Sequence, residues 1–354
     1  MAKSRPAESA GIRTGAKFAY SAIALALMLG AAEISLRTLS LDLYTENDFF
    51  QLNRDINFTG VYDKDRRLFW KLKKSADINS KRFSSISYQT NERGFRGPHI
   101  PGKSDIFRIA ALGNSCTFGW AVPYREIFTT QLEVLLNNIQ VINCGSPGYS
   151  SHQGKILTAD LLETLMPDML LIMFGWNDHW PASQNLQDKH QEMPAQWLLD
   201  IQNTLSGLEI YKAVRKLSLT IFRPDSPPAS FSQISGPRRV GIIDFESNLA
   251  EIIKQARAAQ AVPVLLSPPI ASLANYFPGV TKAPFHRLHA EYQLAIRRVA
   301  ERAGVLFVDL QPPFDRRNDL YDNPRDDPVH FNAAGHLLAA REIVRVVGNS
   351  LGAP

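Results

Sequence analysis

The chain has 354 residues, of which 45% are apolar and 21% charged. This is the composition of an ordinary globular protein, and it excludes a disordered chain, a collagen and a polytopic membrane protein. The formal net charge is +5, and four cations fall in the first 17 residues. No basic block interleaved with aromatic residues follows, so nucleic acid is not an expected partner. Two cysteines exclude a disulfide scaffold and a four-cysteine zinc site.

The N-terminal region contains one long apolar segment. Residues 18–32 carry no charge, and Glu33 is the only charged residue between Lys17 and Arg37. Spanning a bilayer takes about 20 apolar residues, while a basic start followed by an apolar run is also typical of a signal peptide. We therefore interpret 1–17 as a cytoplasmic basic start and 18–38 as either a retained transmembrane anchor or a cleaved signal.

A buried helix of the fold is the remaining alternative for this segment. In both of the other interpretations the basic flank stays inside, so the residues that follow are expected outside the cytoplasm. The protein would then be a single-pass membrane protein, or a secreted one if the segment is cleaved.

Residues 39–103 are predicted to form an irregular juxtamembrane lead-in. They contain scattered aromatic residues and the turn-rich segment TNERGFRGP, which runs from Thr90 to Pro98. Glycine and proline at such density indicate tight turns before a domain.

From residue 104 the pattern changes to short apolar runs that alternate with longer amphipathic ones. The predicted strands are 107–113, 141–144, 168–174, 262–267 and 305–310. The predicted helices are about 124–138, 151–165, 244–260, 286–303 and 332–348. This alternation predicts a three-layer α/β/α sandwich with a mainly five-stranded parallel sheet. We place this domain at 104–350, with an insertion at about 181–240 where the rhythm breaks.

Polar motifs follow three of these strands and precede the last helix. The motifs are GNSCTFG (113–119), NCGSPG (143–148), GWND (175–178) and DPVH (327–330). The carboxyl ends of parallel strands meet at one edge of a sheet, which is where reactive residues gather. These four loops are therefore expected to converge.

These motifs, in this order, resemble those of the SGNH (GDSL-like) hydrolase family, over residues 104–348. TNERGFRG resembles the lead-in of its membrane-anchored bacterial members. The resemblance implies a flavodoxin-like SGNH fold. One position departs from the family pattern, because Asn114 stands where the family usually has Asp. That residue is not the family's catalytic acid, so the departure bears on local hydrogen bonding.

Ser115, Asp327 and His330 are the predicted catalytic residues. Ser115 falls where a strand turns into a helix, a position that also suits a plain helix cap. A serine hydroxyl needs a base to become nucleophilic, and His330 is our candidate. Asp327 lies three residues before it, the family's D-x-x-H spacing, and would orient the imidazole. Asp326 is the rival for that role.

The predicted oxyanion hole consists of the Ser115 amide and, by resemblance, the Gly145 amide and the Asn177 side chain. Cys116 and Cys144 each adjoin a predicted site residue. They are either two buried thiols or, in an oxidising compartment, a disulfide. No metal-binding or nucleotide-binding motif is present, so no metal or cofactor is expected.

The sequence thus predicts an extracytoplasmic serine ester hydrolase that works through an acyl-serine intermediate. Its expected partners are the membrane, through the N-terminal helix, and a carboxylic ester, with a lipid or an O-acetylated glycan as candidate substrates. Two alternatives remain open. One is an O-acyltransferase that acts on an envelope or secreted polysaccharide with the same triad, and the other is a catalytically silent glycan-binding protein.

Overall fold

The structure, a computed structural model, describes residues 9–41, 43, 61–79, 85–182, 185–222, 236–272, 282–325 and 327–348. The helices are α1 (Ser9–Leu39), α2 (Ser115–Phe118), α3 (Phe128–Leu136), α4 (Ser151–Leu165), α5 (Gln196–Leu205), α6 (Glu209–Phe222), α7 (Ile242–Ala258), α8 (Lys282–Ala303), α9 (Gln311–Phe314) and α10 (Ala333–Val347). The strands are β1 (Tyr62–Asp65), β2 (Phe69–Leu72), β3 (Asp77–Ile78), β4 (Tyr88–Gln89), β5 (Phe107–Gly113), β6 (Ile139–Gly145), β7 (Met169–Met173), β8 (Val262–Ser267) and β9 (Leu306–Asp309).

The last five strands form one parallel sheet in the order β6-β5-β7-β8-β9. The predicted three-layer α/β fold is confirmed, and each predicted strand is found within two residues of its expected ends. From β5 the chain passes to β6 on one side and then to β7 on the other, so the switch point of the sheet lies between β5 and β7. Ligands in such sheets bind beyond the carboxyl ends of the strands at this point, where Gly113 of β5 pairs with Met173 of β7 and, on its other side, with Gly145 of β6.

The sheet is buried on both faces because its strands are apolar at successive positions. In β5, Ala110 and Leu112 pack into one hydrophobic cluster, while Ile109 and Ala111 pack into the other. This division follows from the two-residue period of a strand. The first cluster includes side chains of α4, α7 and α8, and the second includes side chains of α3 and α10.

The lead-in is more ordered than we expected. In its described part, β1 pairs with β2 and β3 with β4, each pair antiparallel. The prediction of an irregular stretch is therefore wrong there. The physical reason lies in the aromatic residues that dot it, since Tyr62 and Trp70 are only 1% and 2% exposed and belong to the hydrophobic core.

The chain forms two compact units. One comprises Met1–Glu46 with Asp200–Ser226, and the other comprises Asn47–Leu199 with Pro227–Pro354. In the first unit, residues Thr14–Leu39 of α1 are long and apolar enough to cross a membrane, a test that a signal sequence also passes. These residues are not buried in the structure, which excludes the alternative of a buried helix of the fold.

Candidate active site

Ser115 is the first residue of α2 and lies two residues after the end of β5 at Gly113. The side chain of Asn114 caps this short helix, because its Oδ1 accepts a hydrogen bond of 3.0 Å from the Cys116 amide. The departure from Asp at position 114 therefore preserves the local cap, since an asparagine oxygen accepts this bond as well as a carboxylate does. The Ser115 amide donates to no described residue, as expected for the first amide of a helix.

Ser115, His330 and Asp327 come together at the carboxyl edge of the sheet. The Ser115 Oγ lies 2.8 Å from His330 Nε2. On the other side of the imidazole, His330 Nδ1 lies 2.8 Å from Asp327 Oδ2 and 2.9 Å from Oδ1. This is the geometry that a nucleophile, its base and an orienting carboxylate require. Asp326, the rival of Asp327, lies outside the described residues.

The Asp327 carboxylate is poised to stay charged. Burial alone would raise its pKa, but His330 and hydrogen bonds from the amides of Val329 and His330 outweigh burial and hold the pKa below its ordinary value. An ionised carboxylate favours the tautomer with the proton on Nδ1, which leaves Nε2 free to accept the serine proton. The ring of Trp120 lies beside the imidazole, with 5.9 Å between the ring centroids.

Asn177 follows β7, and its side chain is tied to the loop that follows β6. Its Nδ2 donates a hydrogen bond of 3.0 Å to the carbonyl oxygen of Tyr149. A side-chain amide has two N–H bonds, so one is held by Tyr149 and the second is available to a ligand. The position agrees with the expected role of Asn177 as a donor, and the role itself stays a prediction.

The backbone amides of the loop after β6 can be accounted for one by one. The Gly145 amide donates to Asn143 Oδ1 at 3.0 Å, the Ser146 amide to the Gly113 oxygen at 3.1 Å, and the Tyr149 amide to the Ser146 oxygen at 3.2 Å. Proline at 147 has no N–H. Within the described part of the chain, only the Gly148 amide in this loop has no acceptor.

The expected role of the Gly145 amide in the oxyanion hole stays a prediction, and in this structure that amide already has an acceptor inside the protein. Glycine is required at 145 for another reason, since a Cβ there would lie 2.4 Å from the backbone nitrogen of Phe118. Gly148 adopts a φ of +82° that favours glycine. Sequence reasoning did not single out Gly148, although a second glycine stands in NCGSPG.

Arg96, from the lead-in motif TNERGFRG, supports the nucleophile turn. This buried guanidinium donates hydrogen bonds to the carbonyl oxygens of Phe118 at 2.7 Å, Gly119 at 2.6 Å and Val122 at 2.5 Å. It also lies over the rings of Tyr88 and Phe118. Burial lowers the pKa of Arg96 to about 10, so it remains charged at neutral pH. Among the described residues, no carboxylate pairs with it.

Arg239, from the end of the insertion, supports the loop after β6. Its guanidinium lies 2.8 Å from Asp188 Oδ2 and donates a bond of 2.7 Å to the Gly148 oxygen. Both side chains of the ion pair are about 95% buried. Asp188 also accepts a bond of 2.6 Å from Ser150 Oγ at the start of α4. From the lead-in, Trp70 Nε1 donates to the Pro147 oxygen at 3.2 Å.

Cys116 and Cys144 are both free and buried. Each belongs to a different hydrophobic cluster, Cys116 on one face of the sheet and Cys144 on the other. The structure therefore favours the interpretation of two buried thiols over a disulfide. Burial raises the pKa of both thiols well above its ordinary value, which keeps them protonated and unreactive.

A sequence model described as the GDSL-like Lipase/Acylhydrolase family matches residues 111–338 of this chain. The match includes all four motif-bearing loops. An acetylxylan esterase from Geobacillus stearothermophilus is 26% identical over 113 residues, which are 31% of this chain and 49% of the esterase. The chain thus aligns with about half the length of this curated relative.

The chain is also similar to two solved structures. An alpha/beta hydrolase enzyme from the metagenome of Lake Arreo, Spain, shares 21% identity with a TM-score of 0.44, over 68% of this chain and 95% of the other. A catalytic mutant of an acetylxylan esterase from Geobacillus stearothermophilus shares 20% identity with a TM-score of 0.42, over 70% of this chain and 97% of the other.

Proposed function

Since this chain belongs to the GDSL-like lipase/acylhydrolase family, we propose that it hydrolyses a carboxylic ester through a covalent acyl-Ser115 intermediate. The observation that carries the proposal is the 2.8 Å contact between Ser115 Oγ and His330 Nε2, with the Asp327 carboxylate on the opposite ring nitrogen. A buried catalytic serine, a base and an orienting acid in line are the parts that acyl transfer requires.

In the first half of the reaction, His330 Nε2 takes the proton of Ser115 Oγ while the oxygen attacks the ester carbonyl. The tetrahedral intermediate carries its negative charge on the former carbonyl oxygen. We assign three donors to that charge, namely the amides of Ser115 and Gly148 and the second N–H of the Asn177 side chain. The imidazolium then protonates the alcohol oxygen as the C–O bond breaks, which leaves the acyl group on Ser115.

In the second half, water attacks the acyl-serine carbonyl and gives a proton to His330 Nε2. Collapse of the second tetrahedral intermediate returns that proton to Ser115 Oγ and releases the carboxylic acid. Asp327 holds the imidazole in the same orientation throughout. The cycle needs no metal or redox cofactor.

For the substrate, we propose an acyl group linked to carbohydrate, an O-acetyl ester in particular, located outside the cytoplasm. Support comes from the acetylxylan esterase relative and from the N-terminal apolar helix. We take that helix to be a retained anchor whose basic flank stays in the cytoplasm. An ester panel of graded acyl chain length on the full chain tests this choice. Fastest release of acetate from an acetylated xylan or oligosaccharide is expected, and a preference for long acyl chains would contradict it.

The serine assignment is tested with an activity-based fluorophosphonate probe and Ser115→Ala. We expect the probe to label the natural chain and not the variant, and turnover to fall by about 10⁴-fold or more because the nucleophile is lost. Ser218→Ala, which changes an exposed serine of α6, is the matched control and should keep both labelling and activity. A probe adduct on Ser115→Ala would overturn the assignment.

A further inference from the structure

Helix α6 (Glu209–Phe222) exposes an apolar face. Val214, Leu217 and Ile221 are 61%, 60% and 58% exposed, and their spacing of three and four residues places them on one side of the helix. The cations of α6 lie toward its other side: Lys212, Arg215 and Lys216. An amphipathic helix of a globular core turns its apolar side inward. Here the apolar side faces out, the pattern of a helix that lies in a membrane interface.

The start of α6 is fixed to the end of the candidate membrane helix α1, within the same compact unit. Both carboxylate oxygens of Glu33 accept hydrogen bonds of 3.0 Å, one from the Glu209 amide and one from the Ile210 amide. Arg37, which pairs with Glu33 at 2.7 Å, donates a second bond of 2.8 Å to the Gly207 oxygen. The single acidic residue of the apolar segment is thus satisfied by the first turn of α6.

The position of Glu33 along α1 sets the depth of this junction. A hydrocarbon core of about 30 Å takes about 20 helical residues, so a span that begins at Phe18 ends near Arg37. Glu33 lies one helical turn before that end, or about 6 Å along the axis. With the span placed so, the first residues of α6 lie about 6 Å inside the acyl-chain edge, within the depth that interfacial helices reach.

We propose that α6 is a second membrane contact, an interfacial helix that rests on the extracytoplasmic surface of the bilayer that α1 crosses. Its apolar face (Val214, Leu217 and Ile221) enters the acyl-chain boundary. The bilayer is the occupant that fits because the first turn of α6 is bonded to a helix whose own apolar surface is exposed. This inference rests on the proposed retention of α1 as an anchor.

The test places a fluorescent probe on the apolar face in the full chain. Leu217→Cys is labelled with an environment-sensitive dye and reconstituted, one chain per disc, in nanodiscs of three parts phosphatidylcholine to one part phosphatidylglycerol. Cys116 and Cys144 are buried, and the natural chain treated in the same way gives the labelling background. Lys254→Cys on α7, whose side chain is 77% exposed, is the matched control.

We expect the dye at 217 to emit as in an apolar medium and to lose most of its emission when spin-labelled lipid is added. The dye at 254 should emit as in water and keep its emission. Water-like emission at 217 in discs that hold the intact chain would overturn the α6 proposal alone. Protection of 217 only after another protein is added would overturn it in favour of a protein partner.

Intact-mass measurement of the same sample separates this failure from that of the anchor. A chain cut after the apolar segment and lost from the discs would overturn the anchor and the α6 contact together. Ester hydrolysis, measured in parallel on a soluble substrate, reports on the proposed reaction independently of both.

Discussion

The two loops that meet at the candidate active site are each held by a buried arginine, but with different electrostatics. Arg96 holds the nucleophile turn through three carbonyl oxygens and two aromatic rings, with no carboxylate partner in the described part of the chain. Arg239 holds the loop after β6 through the Gly148 oxygen and a buried ion pair with Asp188. A carbonyl oxygen carries only a partial charge, so the first loop depends on hydrogen-bond geometry while the second depends on charge balance.

The largest effect is expected from breaking the ion pair behind the loop after β6. Asp188→Ala leaves the Arg239 charge buried and unpaired, which should lower the free energy of unfolding by about 3–5 kcal/mol. Urea denaturation measures this loss in the free energy of unfolding. Asp244→Ala, which breaks the exposed pair with Lys189 at 2.8 Å, is the control and should cost at most about 1 kcal/mol. Equal losses of unfolding free energy in both variants would contradict the idea that the buried pair contributes more than the exposed one.

The next effect concerns catalysis rather than folding. Asn177→Ala removes the donor that this loop positions through the Tyr149 oxygen, and kcat should fall by about 10²–10³-fold. Asn177→Asp keeps the size of the side chain but has no N–H to donate, so it should be as slow. An aspartate variant with natural activity would show that donation is not the role of Asn177.

On the nucleophile side, Arg96→Met leaves three carbonyl oxygens without their donor while it keeps most of the apolar bulk. We expect a loss of about 2 kcal/mol in the free energy of unfolding, together with a lower kcat because the turn that carries Ser115 loosens. Arg93→Met, which alters an exposed arginine of the same motif, should cost at most about 0.5 kcal/mol. A smaller loss for Arg96→Met than for Arg93→Met would refute the anchoring role.

The smallest effect is a pH dependence of the free energy of unfolding, which we expect from the elements around Ser115. His336 Nδ1 accepts a 3.1 Å bond from the Phe128 amide, which begins α3 on the nucleophile side. Burial, with Arg96 and His330 nearby, holds the pKa of His336 well below its ordinary value. The folded protein keeps it neutral, whereas the unfolded chain takes up a proton below about pH 6.5. The stability that it contributes is therefore present above that pH and is lost as the pH falls.

In His336→Asn, the side-chain oxygen can accept the hydrogen bond from the Phe128 amide, but this side chain does not titrate. The drop in unfolding free energy between pH 7 and about pH 5.5 should therefore be smaller in His336→Asn than in the natural chain, by about 1 kcal/mol. Urea denaturation at the two pH values measures it. The remaining drop belongs to other buried histidines such as His289, whose pKa is lowered to about 4, chiefly by burial. An unchanged pH dependence would contradict this assignment.

The strands and the motifs beside them were easier to predict from the sequence than the side chains that hold the active-site loops in place. The strands were predictable because their apolar runs are local, and the site was predictable because each motif follows or precedes such an element. The Arg96 and Arg239 anchors were not, because they bridge separations of 22 to 91 residues. All three hydrogen-bond acceptors of Arg96 and one of those of Arg239 are backbone carbonyls, which carry no signal in the sequence. The acceptor of the Gly145 amide is, by contrast, local, since it is the side chain of Asn143 two residues earlier.

The support of both loops by residues before 104 has a practical consequence for recombinant work. A catalytic fragment begun at the start of β5 would omit Trp70 and Arg96, and with them a hydrogen bond to the Pro147 oxygen and three to the turn after Ser115. We expect such a trimmed enzyme to express poorly or to turn over slowly. A fragment begun near residue 61 keeps these bonds and still omits the N-terminal apolar helix, so we expect it to be the better fragment to crystallise.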